Sequence, residues 1–251
     1  MIDQQVSQSN SVWVVIPAAG IGQRMQSELP KQYLKIHNKT IIEHTLDCFL
    51  QHQDVAGIVV ALSPDDQYWQ SLEINTNPII HTTLGGSNRS DSVLQGLNYL
   101  NKLEVSSVNS WVMVHDAARP CLSKNDLDAL LAIRNTNSIG GLLASPVRDT
   151  MKRSVTSSSL TTVSNTEPRD NLWHALTPQM FRLGPLKEAL QQCKKQGAHV
   201  TDECSAMEFI AEKPIIVECV NNNIKVTHPS DLELATFLLN SNKNSINKDI
   251  S

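Results

Sequence analysis

Six apolar runs, each of strand length and mostly rich in β-branched residues, alternate with longer amphipathic runs, and this rhythm most restricts how the chain can fold. The strand-like runs are VWVVI (12–16), GIVVAL (57–62), PIIHTTL (78–84), WVMVH (111–115), GGLLASPV (140–147) and PIIVECV (214–220). Nearly continuous apolar character suits strands covered on both faces. TIIEHTLDCFLQH opens with a capping-box pattern, Thr40 with Glu43, and sets Ile41, His44, Leu46 and Phe49 near one face. RSDSVLQGLNYLNKL, SKNDLDALLAIRN, GPLKEALQQCKKQG and SDLELATFLLN read as helices too, the last with a second capping-box pattern, Ser230 with Glu233. Strands alternating with helices predict an α/β fold with a doubly wound, mostly parallel sheet.

Two regions break the rhythm. Residues 148–178 are rich in Ser and Thr and lack a helical period. Two short strands joined through Ser157–Ser159, forming a protruding β-arm, fit this composition, and so does a flexible surface insertion. The polar stretch after residue 240 has no apolar face and reads as disordered. One domain is therefore expected over 12–240, with the arm inserted at about 148–178 and flexible termini at 1–11 and 241–251.

Composition narrows the function classes. No apolar run approaches the ~18 residues of a membrane span, so no membrane association is expected. With 21 basic and 25 acidic residues, a net charge of -4 repels a nucleic-acid backbone, and any anion must be gathered locally. The five cysteines are scattered and never form a CxxC pair, which argues against a disulfide framework or a thiolate zinc site. The stretch MIDQQVSQSNS shows neither a secretory nor a mitochondrial address, and the expected compartment is the cytoplasm.

The segment VVIPAAGIGQRMQSELPKQYL (14–34) carries the first chemical signal. A strand ending at Ile16 runs into Pro17, Ala18, Ala19, Gly20 and Gly22, so the backbone can approach a ligand closely and turn consecutive N–H groups toward an anion. The spacing fails the P-loop pattern, and Met25 replaces the third glycine of a dinucleotide fingerprint. Arg24 and Lys31 are cations suited to a triphosphate; an ordinary strand-to-helix turn is the alternative. In VMVHDAARP (112–120) an apolar strand delivers Asp116 and Arg119 to its carboxyl end. Asp116 is a candidate Mg²⁺ ligand, since that ion is commonly held by one or two carboxylates with phosphate oxygens and water. An Asx turn or helix cap with Arg119 as salt partner reads equally well.

PAAGIGQRM with PKQYL, GGSNRSDSV, VHDAARP, PVRDTMKR, WHALTPQMF, TDECSAMEF and NIKVT, in this order from about residue 12 to 240, resemble the 2-C-methyl-D-erythritol 4-phosphate cytidylyltransferase family of the non-mevalonate isoprenoid pathway. The resemblance implies a Rossmann-like nucleotidyltransferase fold and the joining of CTP to methylerythritol phosphate with release of pyrophosphate. It implies that Ala18, Ala19 and Gly20 lie against the nucleotide and that Arg24 and Lys31 stabilise charge at the triphosphate. Gly85, Gly86, Arg89 and Ser92 match the motif that frames the cytosine, with Ser87 in a variable slot. The family pattern makes Asp116 the Mg²⁺ ligand and Arg119 its support. It gives Thr150, Arg169 and Lys225 to the acceptor phosphate, the arm residues reaching across from a neighbouring subunit. One departure is that Pro168 stands where the family usually has an acidic residue before this arginine.

A phosphate monoester has a second pKa near ~6, so its attacking oxygen is already ionised at neutral pH and no general base is needed. The eight histidines accordingly show no HExxH or other ligand spacing. An exposed two-stranded arm cannot bury its own faces, which predicts a homodimer paired through the arm. Transfer to another alcohol phosphate such as ribitol 5-phosphate, and nucleotide binding without catalysis, stay open at this stage.

Overall fold

The computed structural model describes residues 11–20, 29–103, 107–157, 159–219 and 222–248, with side chains as far as 241. In chain order its strands are β1 (Val12–Pro17), β2 (Lys35–Ile36), β3 (Lys39–Thr40), β4 (Val55–Leu62), β5 (Ile80–Leu84), β6 (Trp111–Val114), β7 (Gly140–Pro146), β8 (Met151–Ser157), β9 (Leu160–Glu167), β10 (Trp173–Arg182) and β11 (Ile215–Glu218). The α-helices are α1 (Ile41–Leu50), α2 (Arg89–Leu100), α3 (Lys124–Ala132), α4 (Leu183–Gln196), α5 (Glu203–Phe209) and α6 (Pro229–Lys248).

Among the described residues seven strands form one sheet in the order β11-β7-β10-β6-β1-β4-β5. All run the same way except β10, which pairs antiparallel with both β6 and β7. The mostly parallel, doubly wound sheet expected from the sequence is thus present. Its two faces follow from strand periodicity. Val12, Val14 and Ile16 pack with Ile42, Leu46 and Phe49 of α1 and Leu127 and Leu130 of α3. Trp13 and Val15 point the other way, onto Val93 and Leu97 of α2, Leu186 and Leu190 of α4, and Met207 of α5.

The thickness of this sandwich is fixed at particular points. A Cβ on Gly96 would lie 2.5 Å from Val15 Cγ1, so α2 rides directly on β1. A third, smaller cluster joins Ile36, Ile41, Ala118, Cys121, Val226 and Ala235 and ties the β2–β3 ribbon and α6 to the turn after β6. Strand order reverses at β1, with β4 on one side and β6 on the other. In such sheets the crevice beyond the carboxyl ends of the strands at that reversal is where ligands are held.

The Thr40–Glu43 capping box is present at α1, but the Ser230–Glu233 box is not. Pro229 opens α6 two residues earlier than a Ser230 cap implies, as its fixed φ favours at a first helical position, and Asp231 Oδ2 instead accepts the Thr227 and His228 N–H groups, both at 2.8 Å. The arm is shorter than 148–178. Its hairpin is β8 and β9, whereas Trp173–Arg182 is a strand of the main sheet, because pairing on both sides buries most of a segment that is mixed in polarity. The C-terminal helix also continues through Lys248, past the boundary expected at 241. Residues 1–10 and 249–251 of the expected flexible termini lie outside the described residues.

Gly96→Val should destabilise the fold by about 2 kcal/mol, through overpacking against Val15, and lower the midpoint of denaturant unfolding.

Candidate active site

At the sheet's reversal point lies a cavity of about 180 Å³, with Ala18, Ala19 and Gly20 after β1 on one side and Asp116 after β6 on another. The first wall is braced from beneath. Gln32, buried in the 3-10 turn Lys31–Tyr33, donates from Nε2 to Ala18 O at 2.8 Å. The neighbouring Tyr33 hydroxyl donates to Asp66 Oδ2 at 2.5 Å, anchoring the turn to the loop after β4. Lys31, between these anchors and the preceding Pro30, reaches the cavity and donates from Nζ to Val226 O at 3.0 Å. The PKQY sequence therefore works as a fixture that aims a lysine.

The GGSNR segment forms the opposite wall. Ser92 is buried, accepts the Gly86 N–H at 3.1 Å and donates to Asn88 O at 2.9 Å, so its hydroxyl braces the turn it also lines. Ser87 donates to Asp91 Oδ2 at 2.8 Å. Gly85 lies behind the wall: a Cβ there would stand 2.5 Å from the Ala19 Cβ, so the two loops can approach only if residue 85 is a glycine.

Asp116 is the hub. Its Oδ1 accepts from Arg89 Nε at 2.8 Å; its Oδ2 meets Lys225 Nζ at 2.9 Å and Arg119 Nε at 3.4 Å. Burial alone would raise this carboxyl's pKa, but Arg89, Lys225 and Arg119 outweigh it and hold the pKa well below the usual carboxylate range. Three cations separated widely in sequence thus converge on one anion. Each has its own tether. Arg89 forks Glu203 with Nη1 to Oε1 at 2.7 Å and Nη2 to Oε2 at 3.0 Å. Arg119 donates to Asn223 O at 2.6 Å, and Val226 N–H to Ala118 O at 2.8 Å, stapling the NIKVT segment that carries Lys225 onto the DAAR turn.

A relay of hydrogen bonds fixes the backbone of Asp116. Its N–H donates to Thr177 Oγ1 at 3.1 Å, and that hydroxyl lies 3.1 Å from His115 Nδ1. His115 Nε2 lies 3.0 Å from the Arg119 carbonyl, which can only accept, so the ring proton belongs on Nε2 and the threonine donates to Nδ1. Burial pushes the His115 pKa down to about 4, which keeps the ring neutral and structural. Thr177 stands in a stretch of β10 where the pairing with β7 shifts register between Ala175 and Gln179.

Of the residues singled out from the sequence, Ala18, Ala19, Gly20, Lys31, Gly86, Ser87, Arg89, Ser92, Asp116 and Lys225 line the cavity together. Arg119 and Gly85 back its wall. Thr150 and Arg169 stand at the foot of the β8–β9 hairpin and do not line it; Arg169 donates from Nη1 to the Arg148 carbonyl. Arg24 lies outside the described residues. Among the described residues no group of three or more His, Cys, Asp or Glu side chains could cage a metal, and Asp116 is the one carboxylate lining the cavity. A single carboxylate suits Mg²⁺, which commonly takes its remaining ligands from phosphate oxygens and water.

Sequence reasoning assigned no role to Glu203, Thr177, Gln32 or Asn223. Glu203 had a readable signal: at i, i+3 and i+4, Glu203, Ala206 and Met207 share the buried side of α5, and a carboxylate there requires a buried cation.

The family model for 2-C-methyl-D-erythritol 4-phosphate cytidylyltransferase matches residues 12–241. A protein of that name from Vibrio atlanticus is 48% identical over 237 residues, covering 94% of this chain and 99% of its own. One from Pseudoalteromonas atlantica is 51% identical over 226 residues, covering 90% and 94%. The crystal structure of the Francisella tularensis cytidylyltransferase superposes with a TM-score of 0.77 at 39% identity, covering 91% of this chain and 99% of that one.

Thr177→Val keeps the shape of residue 177 but strands the buried Asp116 N–H and His115 Nδ1; it should cost about 1–3 kcal/mol of stability in denaturant unfolding.

Proposed function

The chain belongs to the 2-C-methyl-D-erythritol 4-phosphate cytidylyltransferase family, and from that membership we propose how its own residues carry the reaction. It is a nucleotidyltransferase that joins CTP to 2-C-methyl-D-erythritol 4-phosphate, giving 4-diphosphocytidyl-2-C-methyl-D-erythritol and pyrophosphate in isoprenoid precursor synthesis. The observation that supports the site is the cavity itself, with a backbone cradle, two lysines and one ion-paired aspartate facing a common space.

In this reading Ala18, whose own N–H is held by Ala61 O at 2.8 Å, lies against the nucleotide and the N–H groups of Ala19 and Gly20 hold the triphosphate, while Gly86, Ser87 and Ser92 frame the cytosine on a turn kept close by Gly85. Lys31 neutralises charge growing at the α-phosphate, together with Arg24. Lys225 holds the acceptor phosphate, and Arg119 supports the site from behind Asp116. Asp116 would hold Mg²⁺, whose chemistry is to neutralise phosphate oxygens as pyrophosphate leaves. The acceptor oxygen is already ionised at neutral pH, so the chain's task is to gather two polyanions and hold them in line. His115, neutral and hydrogen-bonded through both ring nitrogens, takes no proton in this scheme.

Thr150 and Arg169 belong to the acceptor site of a neighbouring subunit in a homodimer formed through the hairpin. Supporting this, Val155, Leu160 and Val163 are apolar yet more than half exposed on that hairpin. A cytoplasmic setting is part of the same proposal; the five free cysteines agree with a reducing compartment.

Pyrophosphate release from CTP with methylerythritol phosphate tests the site: Lys31→Ala should cut the maximal rate by about 10² to 10³ while CTP affinity changes little, and near-normal turnover would remove Lys31 from the transition state. Mixing Arg169→Ala with Lys225→Ala subunits should restore part of the activity, because half the active sites of a mixed dimer then carry neither substitution; no recovery would refute sharing.

A further inference from the structure

Glu203 is completely buried, does not line the cavity, and is nevertheless ionically linked to it. Both of its oxygens are taken by the Nη atoms of Arg89, while the remaining edge of that guanidinium donates from Nε to Asp116 Oδ1 at 2.8 Å. Glu203 is itself held firmly at the start of α5. Asp202 caps that helix through a reciprocal pair with Ser205, and buried Gln179 of β10 donates to Asp202 Oδ2 at 2.9 Å and accepts the Cys204 N–H at 2.7 Å. Stability alone would not require this arrangement, because an apolar pair of the same volume often replaces a buried ion pair without loss.

We propose that Glu203 is a positioning residue for the transfer reaction: by occupying the fork of Arg89 it limits that guanidinium to a single contact with Asp116 and leaves the carboxylate able to bind a divalent cation. A guanidinium prefers to grip a carboxylate with two parallel bonds. Released from Glu203, Arg89 turns its fork onto Asp116 and competes with the metal for both oxygens. Glu203 also offsets one of the three positive charges that surround Asp116. The inference rests on the reading of Asp116 as the cation ligand.

The test is calorimetric CTP binding to the full-length protein across a Mg²⁺ titration, with thermal melts and steady-state turnover alongside. An amide can accept only one of the two Nη bonds, so Glu203→Gln should raise the half-saturating Mg²⁺ concentration by about 10- to 100-fold, the usual scale for removing a partner of a metal ligand. Its kcat should recover toward the unsubstituted value at saturating Mg²⁺, which a merely structural defect would not allow. Glu203→Asp keeps the charge that pairs Arg89 in the interior but is one methylene shorter; it should fold even if Glu203→Gln does not, and should raise the requirement by roughly 3-fold or more. In an Asp116→Asn background, Glu203→Gln should add nothing further. If Asp116→Asn abolishes Mg²⁺-dependent CTP binding while both Glu203 variants keep the ordinary Mg²⁺ requirement, the role given to Glu203 is wrong and the metal site stands. If Asp116→Asn leaves Mg²⁺ dependence intact, the metal site itself is misplaced and this inference goes with it.

Discussion

Everything in the site is organised around one buried carboxylate and the three cations that neutralise it. Asp116 sits at the end of a central strand, where water is scarce and a lone charge would be costly. Arg89 comes from the first turn of α2, Arg119 from the turn after β6, and Lys225 from the segment before α6. Each cation is drawn from a different part of the chain, so the cluster cannot form until the sheet and both helical layers have come together. The same convergence explains how a chain of net charge -4 can offer a positively charged pocket. Lys31, Lys225, Arg89 and Arg119 outnumber Asp116 and Glu203 within one small volume.

The site is largely preorganised. Lys31 is aimed by a turn whose two following residues are anchored, Gln32 to the loop after β1 and Tyr33 to Asp66. Asp116 is fixed at its backbone through Thr177 and at its side chain through Arg89. Such bracing matters because electrostatic stabilisation of a phosphoryl-type transition state depends on charges that need no rearrangement as the reaction proceeds. Gln32, Tyr33 and Thr177 are as buried as the hydrophobic core, while Arg89 and Asp66 are partly exposed, so the polar network links the core to the cavity.

How much of this could be read from the sequence depended on whether each residue's role shows in its immediate neighbours. Asp116 closes an apolar strand, and Lys31 stands with Arg24 a short way beyond a run of small residues, so both are legible locally. Glu203 was harder, because an acidic residue at a helix start normally reads as solvated; only Ala206 and Met207 reveal that this side faces inward. The first half of β10 reads as part of the arm because WHALTP is mixed in polarity, and the strand's burial comes from pairing with β6 and β7, which no local pattern encodes. The Ser230–Glu233 pattern misled for the opposite reason: the motif was present locally, but Pro229 and Asp231 had already set the helix start.

Strand β10 leaves the foot of the exposed hairpin at Trp173 and passes Thr177 beside Asp116 before reaching Phe181 in the core. Because side chains alternate along a strand, one residue inserted or deleted between those points would exchange its two faces and pull the threonine away from the aspartate. A change of length is better tolerated at the far end of the ribbon, beyond the exposed Ser157–Leu160 pair. The hairpin can change its reach most readily from its tip.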